Sequence, residues 1–330
     1  MADFLAYRFP GKDIVHSSGE FQLLDQISDD LDSFVLSDFR GDKMYSFHEF
    51  EKLSSTPPEK WFFSSDIPKV IDYPGYMRNA VLFLKVLSEF GLKKIVFSRV
   101  KSVDFDHGKI LQLFENLCHT YPNAFVYLAS SPLFGTWIGA TPEILLEIHG
   151  KHVFTMSLAG TKTFDSEEEW NQKEVEEQQY VTDFILDTLR DHGIKETELN
   201  GPYPFEAGPV KHLRTDISFD LGNRTGIELA SALHPTPAVS GLPQQLAIEV
   251  IEAIEKHDLK YDRFLYAGFL GKISPNQTKL FVNLRCCQII ENKAYIYVGG
   301  GFTKDSVPET EWQETERKSR TLLSVIQGIK

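Results

Sequence analysis

Apolar residues recur three and four apart over Tyr76–Phe90, where Met77, Ala80, Val81, Leu84 and Leu87 form one stripe ending at Gly91. That spacing predicts a helix closed by a glycine. Lys109–Tyr121 repeats it with Leu113, Phe114 and Leu117. Ser166–His192 predicts a long helix, with Ser166 and Glu169 as a capping box and Gly193 beyond its end. Gln244–Lys256 follows Pro243, which suits a first helical turn. Thr310–Ile326 predicts a last helix opened by a second box, Thr310 and Gln313. Strands are predicted at Phe34–Asp38, Lys94–Val100, Ala124–Ala129, Ile144–Ile148, Val153–Leu158, Phe264–Gly271, Lys279–Ile290 and Ala294–Val298, all β-branched or aromatic. Glu291, Asn292 and Lys293 read as a short turn between the last two. Strands follow strands with long helices inserted between runs. This predicts an α+β fold with large antiparallel or mixed sheets rather than a regular βαβ wind. Proline and serine crowd Ser54–Tyr73, which reads as a loop or linker. Residues 1–70 are too few for a confident separate core, so they read as a strand-containing segment of the same domain as 71–330.

Composition narrows the function. The 330 residues carry 34 basic and 47 acidic side chains, a formal charge of −13, which disfavours non-specific nucleic-acid binding. No run of about 18 apolar residues occurs, so no membrane span is expected. The opening MADFLAYRFPGKD lacks a basic n-region and a long apolar h-region, so no signal peptide is expected. Three cysteines, Cys118, Cys286 and Cys287, make no disulfide framework and read as reduced, cytoplasmic thiols. Without CxxC or HExxH a thiolate or histidine zinc site is not expected, and GxGxxG and P-loop patterns are absent.

The placement of acids is the sharpest signal. In Ser166–His192 the stripe of Val181, Phe184 and Thr188 extends back to Glu177 and Glu174. In the last helix Leu322 and Val325 extend back to Lys318, Glu314 and Glu311. Carboxylates continuing an apolar stripe are costly unless paired or bound to a cation. Oxygen-only donors suit Mg²⁺. A solvated acidic face, or an inward Glu314–Lys318 ion pair, accounts for the same residues. Two glycine-rich stretches, Leu158–Thr161 and Gly299–Gly301, read as strand ends whose exposed N–H groups could hold carboxylates or phosphates; plain turns are the alternative. His234–Gly241 and the Leu242–Pro243 pair after it hold three prolines and read as a rigid connection into a helix.

The chain resembles the chorismate-utilising enzymes, a family that includes isochorismate synthases, salicylate synthases and the large subunits of anthranilate and aminodeoxychorismate synthases. The matching pieces run in order: KIVFSR (Lys94–Arg99), GATPEILL (Gly139–Leu146), LAGT (Leu158–Thr161), KEVEEQQYV (Lys173–Val181), HPTPAVSGLP (His234–Pro243), YAGFLG (Tyr266–Gly271), LRCC (Leu284–Cys287), VGGGF (Val298–Phe302) and EWQETERK (Glu311–Lys318). They span the last 260 residues or so. The resemblance implies one α+β domain of two large, mostly antiparallel, packed sheets with helices outside, and 71–330 as the chorismate-binding catalytic region. It implies Mg²⁺ held by Glu177 and Glu314, with Glu174 and Glu311 acting through water or behind them. Lys318 and the backbone of Gly160 and Thr161 would meet the ring carboxylate. Arg285, Tyr266 and the backbone at Gly299 would hold the enolpyruvyl carboxylate, which suits the arginine fork. His212 matches a polar active-site position.

Three positions separate the subtypes. Lys94 stands where members that add water carry a general-base lysine. Ala159 stands where many aminodeoxychorismate synthases have a nucleophilic lysine. Ala238 matches the alanine typical of isochorismate synthases. The resemblance therefore implies an isochorismate synthase in which Lys94 takes a proton from water and Glu143 protonates the leaving hydroxyl. Without it, Lys94 reads as a surface lysine and Glu143 as a turn residue. Such an enzyme serves menaquinone, siderophore or salicylate synthesis. A monomer without a glutamine amidotransferase subunit is implied. Salicylate synthase, an ammonia-dependent synthase subunit, and a silent chorismate-binding protein remain the alternatives.

Overall fold

A computed structural model of the chain describes residues 2–24, 32–53, 58, 60–275 and 277–329. Part of the expected 54–73 loop, residues 54–57 and 59, lies outside them. Four strands come first: β1 (Asp3–Arg8), β2 (Val15–Leu24), β3 (Ser33–Ser37) and β4 (Met44–Leu53). Helix α1 (Tyr73–Phe90) leads into β5 (Lys94–Asp104), and α2 (Ile110–Thr120) into β6 (Phe125–Ser131), β7 (Gly135–Thr141), β8 (Ile144–His149) and β9 (His152–Thr163). Helix α3 (Gln172–Asp191) precedes the hairpin β10 (Thr197–Ala207) and β11 (Val210–Asp220). Helix α4 (Gly226–Leu233), the short β12 (Gly241–Leu242) and α5 (Gln244–Ile251) follow, and α5 continues as a π-helical turn, Glu252–Asp258. The chain closes with β13 (Phe269–Ser274), β14 (Gln277–Val282), β15 (Cys286–Ile290), β16 (Lys293–Phe302) and α6 (Pro308–Gly328).

Hydrogen bonding runs unbroken through all sixteen strands, in the order β10-β11-β9-β8-β14-β13-β3-β4-β2-β1-β6-β7-β15-β16-β5-β12. The two packed sheets implied by the resemblance are the two halves of this one sheet. Phe125 on β6 stacks on Phe281 of β14 with ring centroids 4.5 Å apart, although the strands are far apart in the order. The halves therefore face each other across an inner core. A second core lies outside, where Leu113, Phe114 and Leu117 of α2 and Leu322 and Val325 of α6 cover Val126, Ile138 and Ile289. The strand period of two explains the adjacent thiols, since Cys286 enters the inner core and Cys287 the outer one. Burial raises both thiols well above their ordinary value, which leaves them inert. Among the described residues no helix is long and apolar enough to cross a membrane.

Several expected boundaries move. Helix α3 starts at Gln172, because Asn171 and Glu174, not Ser166 and Glu169, form the capping box. Helix α6 starts at Pro308 with no side-chain cap, and Gln313 Nε2 donates to Glu309 instead of closing a box with Thr310. The expected strand 279–290 breaks at Arg285, whose φ is 50°. The expected strand 264–271 starts only at Phe269, since Phe264 and Ala267 take positive φ in a turn. Leu158–Thr161 and Gly299–Gly301 do lie in the last residues of β9 and β16, but the strands run on to Thr163 and Phe302 and pair there with β11 and β5.

Candidate active site

These irregularities converge on one cleft. Lys94, Glu143, Gly160, Thr161, Glu177, His212, Ala238, Tyr266, Arg285, Gly299 and Lys318 all line it. Glu174, Glu311 and Glu314 stand outside the lining.

Lys94 opens β5 and is 1% exposed, not the surface lysine that its strand-start position suggests. Its Nζ lies 2.9 Å from Glu177 Oε1. Gly301 on β16 makes room for that pair: a Cβ there would stand 2.3 Å from Glu177 Oε1 and 3.0 Å from Lys94 Cε. The solvated-face reading of Glu177 gives way to an inward ion pair. Gln178, its neighbour on α3, is a residue that periodicity passed over. Its Oε1 accepts from Ala159 N at 2.9 Å and its Nε2 donates to Ser157 and Thr215. It thereby fixes a bulge in β9, where Gly160 at φ +65° is the extra residue against β11.

Glu143 lies between β7 and β8 with its carboxyl buried. Burial raises its pKa to about 7, against the opposing pull of Arg285, Lys94 and Lys318. His212 is neutral, its pKa lowered to about 3 by burial and the Arg285 and Lys318 cations. Arg285 Nη2 can only donate, so His212 Nε2 accepts from it at 3.0 Å, and Nδ1–H donates to Gly160 O at 3.0 Å. His212 thus orients Arg285 and carries no titrating proton near neutrality. Arg285 Nε is buried without a hydrogen-bond partner among the described residues. Tyr266 Oη approaches Gly299 so closely that a Cβ there would lie 2.9 Å from it, and burial keeps this phenol protonated. Lys318 Nζ donates to Gly299 O at 3.0 Å and pairs with Glu314 at 2.7 Å. The cleft therefore has two cationic ends, Arg285 and Lys318, with the Lys94 amine and the Glu143 acid between its walls.

Glu311 pairs with Lys173 at 2.5 Å, and burial beside Glu314 raises its pKa to about 7. Burial works against ionised Glu314 too, but Lys318 outweighs it and holds the carboxyl below its usual range. Glu177, Glu311 and Glu314 all stabilise the Lys173 ammonium, so the three converge on one region. Glu174 is committed elsewhere, since its carboxylate accepts from Asn171 N at 2.9 Å in the helix cap. Among the described residues no three His, Cys, Asp or Glu side chains stand close enough to enclose a metal. Glu177 and Glu314, oxygen donors now neutralised by lysines, fit an ion that takes one or two carboxylates and fills its shell with water and substrate.

The profile of the family described as "Chorismate binding enzyme" matches residues 34–327. The isochorismate synthase MenF of Pasteurella multocida is 33% identical over 210 residues, 58% of this chain and 47% of that protein. The isochorismate synthase DhbC of Bacillus subtilis is 32% identical over 279 residues, 78% of this chain and 68% of that protein. The chain spans about half to two-thirds of the length of such curated relatives. A crystal structure described as a putative 2,3-dihydroxybenzoate-specific isochorismate synthase, DhbC from Bacillus anthracis, superposes with a TM-score of 0.82 at 24% identity. It covers 99% of this chain and 96% of its own, a likeness that shows the fold. With the family profile covering nearly the whole fold and the cleft at its centre, the chain belongs to the chorismate-binding enzyme family.

Proposed function

We propose that this chain interconverts chorismate and isochorismate. One observation carries the reading: a buried lysine and a buried acid, Lys94 and Glu143, face one cleft whose two cationic ends suit a dicarboxylate. Arg285 Nε, buried without a hydrogen-bond partner among the described residues, supplies the donor that an enolpyruvyl carboxylate would satisfy, with Tyr266 Oη beside it. Lys318 and the Gly160–Thr161 backbone take the ring carboxylate. Lys94, as the amine, removes a proton from water as its oxygen bonds to C2. The ring double bonds shift, the C4–O bond breaks, and Glu143 gives its proton to the departing hydroxyl. The acid is ready near neutral pH because burial keeps it protonated there. Ala159 and Ala238 offer no side-chain nucleophile on their walls, so the group that adds comes from solution, and Lys94 is the residue that favours water.

Glu177 and Glu314 would hold Mg²⁺, which supplies charge neutralisation and orientation of the ring carboxylate. With its carboxylate on such an ion, Glu177 would no longer hold Lys94 in the ion pair. Glu314→Ala is expected to raise the Mg²⁺ concentration for half-maximal activity by at least about 10-fold, or to abolish activity. A Mg²⁺ titration identical to that of the parent chain would remove Glu314 as a ligand.

Product analysis tests the whole reading. Purified protein, chorismate and Mg²⁺, without ammonia, should give an equilibrium mixture of chorismate and isochorismate by chromatography and proton NMR. Salicylate and pyruvate would reassign it as a salicylate synthase, and conversion only with ammonia would make it an ammonia-dependent synthase subunit. The product then serves menaquinone or siderophore synthesis.

A further inference from the structure

Strand β5 carries Lys94, but its outer neighbour β12 is only two residues long and pairs with Lys94 and Ile95 alone. One further bond, Val96 N to Ser240 O at 2.7 Å, extends the pairing. Beyond it no strand among the described residues lies beside this edge of β5 until Val100, where Val70 forms an isolated parallel bridge and Ile71 N donates to Val100 O at 3.2 Å. The groups that a strand would satisfy, Val96 O and Ser98 N, are met instead by one ion pair. Arg263 Nη2 donates to Val96 O at 2.7 Å, and Glu255 Oε1 accepts from Ser98 N at 2.9 Å. Arg263 and Glu255 are 3% and 2% exposed and join in a fork, Nε to Oε2 at 2.7 Å and Nη2 to Oε1 at 2.8 Å. The third arm of the guanidinium, Nη1, donates to Val239 O at 2.7 Å, in the proline-rich loop that brings Ala238 to the cleft.

We propose that Arg263 and Glu255 are positioning residues that replace the missing edge strand and lock the Lys94 strand to the Ala238–Val239 wall of the cleft. The choice of an ion pair follows from what has to be satisfied. A peptide edge presents a carbonyl and an N–H in turn, so one donor and one acceptor of fixed spacing are needed, and no apolar pair supplies them. Lysine in place of Arg263 keeps the charge but loses the planar fork that serves Glu255, Val96 and Val239 together. The inference rests on Lys94 as the base. Attack of water at C2 depends on where that amine stands relative to the ring, and a misplacement of about 1 Å costs about 10²-fold. The two carboxylate-binding cations, Arg285 and Lys318, sit on other elements, so binding is largely spared.

Glu255→Gln and Arg263→Lys test the inference, each studied by thermal melting, steady-state kinetics on chorismate and backbone hydrogen exchange. Glu255→Gln keeps the shape and one acceptor, so it is the variant least prone to unfold. Both are expected to lower kcat by roughly 10–100-fold while KM stays within about 3-fold. Exchange should rise together in peptides spanning 94–100 and 236–242, with α2 unchanged. Parent-like kcat in a folded Arg263→Lys protein would mean that charge alone suffices, and would overturn the inference. So would unchanged exchange in both peptides. If the parent chain itself leaves chorismate untouched, the isochorismate reading falls, and the exchange result alone decides whether the ion pair locks the two segments.

Discussion

Lys94→Ala is expected to lower turnover by about 10²–10⁴-fold, the usual worth of a positioned general base. The fold should survive. Truncation leaves Glu177 without its ammonium, and a lone buried carboxylate would cost about 3–5 kcal/mol if nothing else reached it. Glu177 is 13% exposed and lines the cleft, so water reaches it and the loss in stability should be smaller than that. Chorismate binding should change little, since Arg285 and Lys318 lie elsewhere in the cleft. The loss therefore belongs in kcat with KM nearly constant. The assay is the initial rate of isochorismate formation, with a melting curve on the same sample. A folded variant with near-parental kcat would remove Lys94 as the base and return it to a purely structural partner of Glu177.

Helical periodicity reached part of this site without help. In α6 the stripe from Leu322 and Val325 back to Lys318, Glu314 and Glu311 points inward, and Glu311 is 1% exposed. A helix advances by a fixed angle per residue, so the α6 stripe extrapolates correctly, whereas in α3 the buried stripe lies about one residue over, through Gln178, Thr182, Ile185 and Leu189. Strands carry less. Their period of two continues through a bulge or a break unchanged, which is why Gly160, Arg285 and Tyr266 looked like strand residues or strand ends. Each owes its place to a departure from regular pairing: an extra residue against β11, a positive φ between β14 and β15, a turn before β13. Such departures depend on the partner strand, which local sequence does not name. Lys94 and Glu143 were legible only through the resemblance, since their burial comes from two sheet halves closing over them. Gln178, Glu255 and Arg263 were missed altogether. Their signal was present but faint: polar residues within stretches otherwise rich in buried apolar and aromatic side chains, as Arg263 is between Tyr261 and Leu265.

Glu143→Gln separates the chemistry of the acid from the stability of the fold, because the two should move in opposite directions. Glutamine has nearly the same shape but no acidic proton, so turnover should fall by about 10²–10⁴-fold. In the parent chain the protonated fraction of Glu143 declines above about pH 7, so its rate should lose ground there, and the variant should lack that limb. Stability follows the sign of the shift. The folded state holds the Glu143 proton more tightly than the unfolded chain, with a pKa of about 7 against an ordinary 4.5. Its contribution is fully present below 4.5, is lost as pH rises through about 7, and leaves an ionised carboxylate in a buried place above that. At 1.36 kcal/mol for each pKa unit the penalty above pH 7 is about 3 kcal/mol. Glutamine carries no such penalty. The variant should thus melt higher than the parent at pH 8, and the gap should close toward pH 5. Melting curves across that range decide it: a gap independent of pH would mean that Glu143 ionises without cost in the folded chain and is no candidate for the acid. A gap that widens with pH, together with lost turnover, identifies a residue that destabilises the fold at working pH because the reaction needs a proton held there.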